Sequence, residues 1–425
     1  MLYSLSKSFA STAIGLAIQE GLITIDDPVI SFFPELAPED PSQHLQAMRI
    51  RDLITMNTGH EQDASRRMMG HPKGWVAGFL SLEVEHKPGT IFVYNSGATY
   101  MLSAIIQKVT GMPVVEYLQS RLFDPLEIKA PTWESDPEGI NVGGWGLSVT
   151  TLDIAKLGQL YLQKGNWKGE QILSEEWVNT ATSLQTSNGS NPESDWDQGY
   201  GYQFWRCRYN NYRGDGAFGQ YCIVMPEKDA VIAITAASND MQGILNMVWE
   251  HLLPAMEDKP LPENEEAQTE LNTRLEKLAL ATVEGEASSP LAPEVSGLRY
   301  ELKPNAYELE AVEFDMSNTN GENFMTVWSP EGQHTFPVGF KTMPKGRMNL
   351  PGQVPWATAA SGAWVSDDHY RVLVYNYESP HALTFDFVFS EGGQSLTWDG
   401  EYNVTIWSPR KLERMEGALE EVGVF

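Results

Sequence analysis

Cysteine is almost missing from this chain: Cys207 and Cys222 are the only two in 425 residues. That is too few for a disulfide scaffold, and two free buried thiols are expected. No uninterrupted apolar run reaches the roughly 18 residues that a membrane-spanning helix needs. Basic residues are scarce as well, 29 Lys and Arg against 57 Asp and Glu, for a formal charge of −28. An excess of that sign argues against nucleic acid and anionic membranes as partners and gives a bias toward neutral or cationic small molecules. The 8 histidines are scattered, with no His-Glu-x-x-His and no pair at helical ligand spacing, so no metal is expected. No P-loop, internal repeat or Gly-x-Ser-x-Gly elbow occurs, and no cofactor is expected.

Gly214, Gly216 and Gly219 formally spell the dinucleotide fingerprint G-x-G-x-x-G. That fingerprint needs a buried strand before it and a helix after it. Here the polar Tyr212-Arg213 precedes and the β-branched run Ile223-Val224 follows, so a glycine-rich strand edge fits better. Such an edge lets a substrate lie against bare backbone.

What is present begins at once. Ser4 and Lys7 form a Ser-x-x-Lys motif running into Phe9, Ala10, Ala13, Ile14, Leu16 and Ala17, an apolar helical pattern. Three residues apart on a helix, the two side chains share a face. A lysine desolvated at the positive end of a helix dipole is pushed toward its neutral form and can accept a proton from the serine. Further on, Pro88-Gly89 starts a turn, Ile91-Phe92-Val93 is a short apolar run, and Tyr94-Asn95-Ser96 precedes a helix expected from about Tyr100 to Val109. A tyrosine on such an elbow faces a cavity, and a cation beside it would be needed for it to act as a base.

In this order the motifs resemble the serine β-lactamase and penicillin-recognising superfamily, in particular its class C-like esterases, D-aminopeptidases and 6-aminohexanoate-oligomer hydrolases. Three stretches extend the likeness over about residues 1 to 255: Gly21-Leu22-Ile23-Thr24-Ile25-Asp26-Asp27-Pro28-Val29, Ile50-Arg51-Asp52-Leu53-Ile54-Thr55-Met56-Asn57-Thr58-Gly59, and Gly144-Trp145-Gly146-Leu147-Ser148-Val149-Thr150-Thr151-Leu152-Asp153. The resemblance implies a β-lactamase/transpeptidase-like α/β (α+β) fold, an antiparallel sheet flanked by helices with a helical subdomain. It implies Ser4 as the acylated nucleophile, with Lys7 and Tyr94 sharing the proton transfers and the acylation base left open between them. The N–H groups of Ser4 and Ala217 would form the oxyanion hole.

Three departures shape the expected substrate. The family's Tyr-x-Asn is Tyr94-Asn95-Ser96 here, so the Ser96 hydroxyl stands where a carboxamide would bind substrate. Its Lys-Thr-Gly is Gly214-Asp215-Gly216, so the carboxylate-binding cation is missing and an anion stands beside its place. Arg213 shares a strand face with Asp215 and could pair with it. Family members also carry a few tens of residues before the nucleophile, so a truncated start with an open sheet edge is expected. A serine hydrolase acting on an ester or amide without a required carboxylate follows, with a D-amino-acid peptidase or amidase, and a non-catalytic binding or scaffold protein, as alternatives. The compartment is not fixed. Cytoplasm is favoured, though an export signal would lie in the absent region.

Composition changes near Pro254. Residues 256–295 read as an acidic, proline-bearing linker with one short helix at Leu271–Leu278. Beyond 296 the pattern has period two: Tyr300–Lys303, Phe324–Trp328, Tyr370–Tyr375, Leu383–Phe389 and Asn403–Trp407 read as strands. They suggest a lipocalin-like antiparallel β-barrel filled by side chains, with homo-oligomer formation left open. The expected domains are therefore 1–255, the linker 256–295, and 296–425.

Overall fold

A computed structural model describes residues 1–257, 259–316, 322–349, 355–406 and 408–419. The chain divides into two compact units, Met1–Pro260 and Leu261–Phe425. Among the described residues no helix is long and apolar enough to cross a membrane.

The first unit is built around one central helix, Ser6–Gln19. Every residue from Ser6 to Ala17 is buried, as expected for a helix packed on all sides. Its residues are small on the faces where neighbours come close. A Cβ on Gly15, for example, would lie 2.6 Å from the Trp177 ring. The helix Ser96–Thr110 packs beside it, capped by the Asn95 side chain and ended by Gly111 at φ +73°, a left-handed position that glycine adopts without steric cost. This helix extends the expected 100–109 segment by a turn at its start.

On the other side lies a four-stranded antiparallel sheet in the order Trp205–Arg206, Tyr212–Gly216, Gln220–Met225, Ala230–Ile234. The helix Thr151–Leu162 starts with a Thr150/Asp153 capping box and lies on this sheet. Gly158 makes the contact close: a Cβ there would be 2.5 Å from Val231 and 2.8 Å from the Cys222 sulfur. Both cysteines are free and buried.

In the second unit, the helix Glu265–Glu276 exposes every residue, starting earlier than the expected 271–278. The chain from Val283 onward is already tied to the barrel: Val283 donates to Ser361 at 3.0 Å, and Glu286 pairs with Trp364. The barrel is one sheet in the order 332–339, 322–329, 311–315, 299–302, 415–419, 395–402, 382–389, 369–376 and 356–364, with 345–348 on its edge. A parallel bridge between Gly339 and Ser361 closes nine of these strands into a barrel. The burial pattern alternates along each strand, and rings fill the interior: Phe314 to Phe387 at 4.7 Å, and Phe387 to Trp398 at 5.0 Å.

One strand expectation is overturned. Asn403–Ile406 is not a strand, and Trp407 lies outside the described residues. The strand before it ends at Tyr402, because the Asn403 side chain turns the chain by accepting from Ala382 N–H and donating to the Pro380 carbonyl. The strand that closes the sequence is Met415–Leu419.

Candidate active site

Ser4 lies in a single 3-10 turn, Tyr3–Leu5, that leads directly into the helix Ser6–Gln19. The first N–H groups of a helix have no intrahelical partner, so a nucleophile here comes with backbone donors aimed past it. The turn is anchored from outside: Leu2 N–H donates to the Leu147 carbonyl at 2.8 Å, and Leu147 N–H to the Ser6 hydroxyl at 3.1 Å. Tyr3 carries φ +49°, a left-handed backbone on the residue preceding Ser4 that a non-glycine residue seldom adopts.

Lys7 points back along the helix at Ser4. Its Nζ is 3.0 Å from Ser4 Oγ, 3.1 Å from Ser96 Oγ and 2.7 Å from the Gly144 carbonyl. The side chain is 1% exposed. Burial pushes its pKa down to about 7, against the opposing pull of the Asp63 and Asp215 charges. The three neighbours match a neutral amine: the Gly144 carbonyl can only accept, Ser96 can accept the second N–H, and the lone pair is left to receive the Ser4 hydroxyl proton.

Tyr94 is positioned by its neighbours in the chain. Val93 N–H donates to the Met56 carbonyl at 3.0 Å, and the buried Asn95 holds the start of the following helix by accepting from Ala98 N–H at 3.2 Å. The Tyr94 ring stacks on Trp205 at 5.3 Å and meets Tyr200 edge-on at 6.4 Å. Lys7 Nζ stands 4.7 Å from its centroid. Burial, then the Asp215 charge, drive the phenol well above its ordinary range, and a hydrogen bond with Ser4 offsets this only in part. Tyr94 is therefore a protonated phenol at neutral pH.

The strand Tyr212–Gly216 runs past the nucleophile. A Cβ on Gly216 would lie 2.0 Å from the Leu2 carbonyl and 3.1 Å from Leu5 N, and one on Gly214 would meet Leu5 and Ser8 at 2.4 and 2.5 Å. The room these glycines leave on that face is taken by the protein's own first turns, which places Ala217, the first residue of the following turn, alongside the Ser4 turn. Asp215 is not a bare anion. Its Oδ2 receives Arg213 Nε at 2.9 Å and Nη2 at 2.8 Å, both residues being buried. Arg213 also donates to the Asp195 carbonyl at 2.8 Å and sits 4.7 Å from the Trp196 ring.

Ser4, Lys7, Tyr94 and Ser96 thus come together, while Asp215 is engaged by Arg213. Three further residues belong to the site. Gly144 fixes the Lys7 amine, and the glycine pair Gly143-Gly144 was its signal, because a Cβ on either would meet the helix Ser96–Thr110 or its first residue at 2.8 to 3.0 Å. Asn95, between Tyr94 and Ser96, accepts from Ala64 N–H at 3.0 Å and so pins the Asp63 loop to the site. Asp63 itself acts by charge on both Lys7 and Tyr94.

The beta-lactamase family model matches residues 1–250. The chain is 29% identical over 258 residues to the 6-aminohexanoate-dimer hydrolase of Paenarthrobacter ureafaciens, covering 55% of this chain and 64% of that protein. It is 27% identical over 150 residues to the lovastatin esterase of Penicillium rubens, covering 30% of this chain and 37% of that one. The chain thus spans less than two thirds of the length of these relatives. A solved structure from Bacillus anthracis, of a protein assigned as a candidate 6-aminohexanoate-dimer hydrolase, superposes with a TM-score of 0.53 at 20% identity, covering 61% of this chain and 74% of that one; it speaks to the fold alone.

Proposed function

The chain belongs to the beta-lactamase family, and on that premise we propose that it is a serine hydrolase working through an acyl-enzyme on Ser4. The observation that carries this is the buried Lys7 amine, 3.0 Å from Ser4 Oγ with a pKa lowered to about 7. Near neutral pH a large fraction of such lysine is unprotonated and can act as a base, which a solvated lysine near 10.4 could not.

Lys7 takes the Ser4 proton as Oγ bonds to the substrate carbonyl carbon. The resulting oxyanion accepts hydrogen bonds from the N–H groups of Ser4 and Ala217. Tyr94, protonated, gives its proton to the departing alkoxide or amine and is reprotonated from the Lys7 ammonium. Water then attacks the ester on Ser4, giving up its proton by the reverse route, and the acid leaves. The base left open in the sequence is thereby assigned to Lys7, with Tyr94 as the proton carrier.

The substrate is an ester or amide with no required carboxylate, because the only cation on the glycine-rich strand, Arg213, is engaged by Asp215. Two relatives fit both halves of this class, one named for an amide dimer and one for an ester. The test is a p-nitrophenyl short-chain ester under pre-steady-state conditions. A burst equal to the enzyme concentration, absent in Ser4→Ala, is expected; turnover that survives in Ser4→Ala would overturn the assignment.

A further inference from the structure

Resting on that reading, the structure points to what the site selects. Asp63 is exposed, on the loop that leads into the short helix Ser65–Met68. Its Oδ1 accepts from the backbone N–H of Ser65 at 2.8 Å and from the Ser65 hydroxyl. Among the described residues its Oδ2 takes no hydrogen bond, so one oxygen is fixed and the other is presented.

The place of that oxygen is set by the site's own parts. Asn95 stands between Tyr94 and Ser96, and its amide oxygen holds both Ala98 N–H at 3.2 Å and Ala64 N–H at 3.0 Å. Gly97 lets Ala64 come close, since a Cβ at 97 would lie 2.8 Å from the Ala64 Cβ. The residue next to Asp63 is therefore fastened to the helix start that carries Ser96, and the Asp63 charge reaches both Lys7 and Tyr94.

Two carboxylates act on Lys7, and only one is compensated. Asp215 is neutralised by Arg213 in a buried pair, whereas Asp63 has no ion-pair partner among the described residues. A neutral Lys7 leaves the rim of the site with one uncompensated negative charge. An anion held in place beside a nucleophile and open on one side suits a cationic group on the substrate better than a neutral or anionic one.

We propose that Asp63 is a specificity-determining residue that receives a free ammonium group of the substrate, so that the site prefers amides and esters of amino acids with an unblocked amine over their neutral or N-acylated counterparts.

The test compares the protein with Asp63→Asn on alanine p-nitroanilide and 6-aminohexanoic p-nitroanilide, on their N-acetylated forms, and on p-nitrophenyl butyrate. For at least one free-amine substrate, kcat/KM is expected to fall about tenfold or more, chiefly through KM. The blocked substrates and the neutral ester should change by less than about threefold. The preference should also weaken with added salt. Equal losses on all substrates, or no loss on any amine substrate, would overturn the proposal while leaving the serine hydrolase in place. A second readout does not depend on turnover: binding of 6-aminohexanamide and hexanamide to Ser4→Ala by calorimetry. Tighter binding of the amine-bearing amide, lost in Ser4→Ala/Asp63→Asn, is expected. Equal binding of the two amides overturns the proposal even if no substrate is turned over. No burst and no labelling at Ser4 would instead strike at the proposed function itself.

Discussion

Lys7 Nζ lies 3.0 Å from Ser4 Oγ, one helical step away and sealed from solvent at 1% exposure. The same burial that costs stability makes the amine basic enough yet unprotonated near neutral pH. Its charge is disfavoured by desolvation, and the opposing Asp63 and Asp215 charges leave the pKa at about 7.

A pH profile follows from that value. The neutral amine is the active form, so kcat/KM on a neutral ester should rise with pH through a midpoint near 7 and level off above it. Stopped-flow or steady-state rates from pH 5 to 9 check this. A profile flat across pH 6 to 8 would remove Lys7 as the base.

Ser96 accepts one of the Lys7 N–H groups at 3.1 Å. Ser96→Ala takes away an acceptor that the ammonium form uses as well, so the ammonium is destabilised and the pKa falls. The rising limb of the profile should move to lower pH, with kcat lower by about tenfold from a less well placed amine. Ser96→Thr should restore both.

Arg213 and Asp215 form a buried pair, at 0% and 6% exposure. Arg213→Met should cost about 3–5 kcal/mol by leaving Asp215 buried without its partner. Arg213→Met/Asp215→Leu should recover most of that loss, because no buried charge remains. Chemical denaturation of the three proteins measures the coupling.

Two glycines on one strand should respond unequally. A Cβ at Gly216 would meet the Leu2 backbone carbonyl at 2.0 Å, whereas one at Gly214 would meet the side-chain ends of Leu5 and Ser8. Backbone cannot step aside as side chains can. Gly216→Ala should lose about 3 kcal/mol, and Gly214→Ala about 1 kcal/mol, in denaturant unfolding.

How much of this was legible in the sequence depended on distance along the chain. Ser4 and Lys7 were readable because a spacing of three on a helix fixes their relation locally. Tyr94 was readable from the turn and helix start around it. The pairing of Arg213 with Asp215 followed from strand alternation, although whether their charges would be spent on each other needed the fold. Gly144 lies 137 positions from Lys7, and no local pattern says which carbonyl a buried amine will find. Asp63 was passed over because a lone exposed acid in an acidic chain carries no pattern; only the Asn95 link to Ala64 sets it apart. In the second unit, Leu383–Phe389 alternates cleanly and falls within the strand Ala382–Phe389. At Asn403–Ile406 a β-branched run lost to the side-chain hydrogen bonds of Asn403, which turn the chain.

The central claim is that Ser4 is the acylated nucleophile. The most direct measurement is to react the protein with a fluorophosphonate and map the adduct by tandem mass spectrometry. The expected result is one equivalent of label on the Ser4-containing peptide, acquired with an apparent pKa near 7 and absent in Ser4→Ala. A folded protein that takes no label, or takes it at another serine, would contradict the claim.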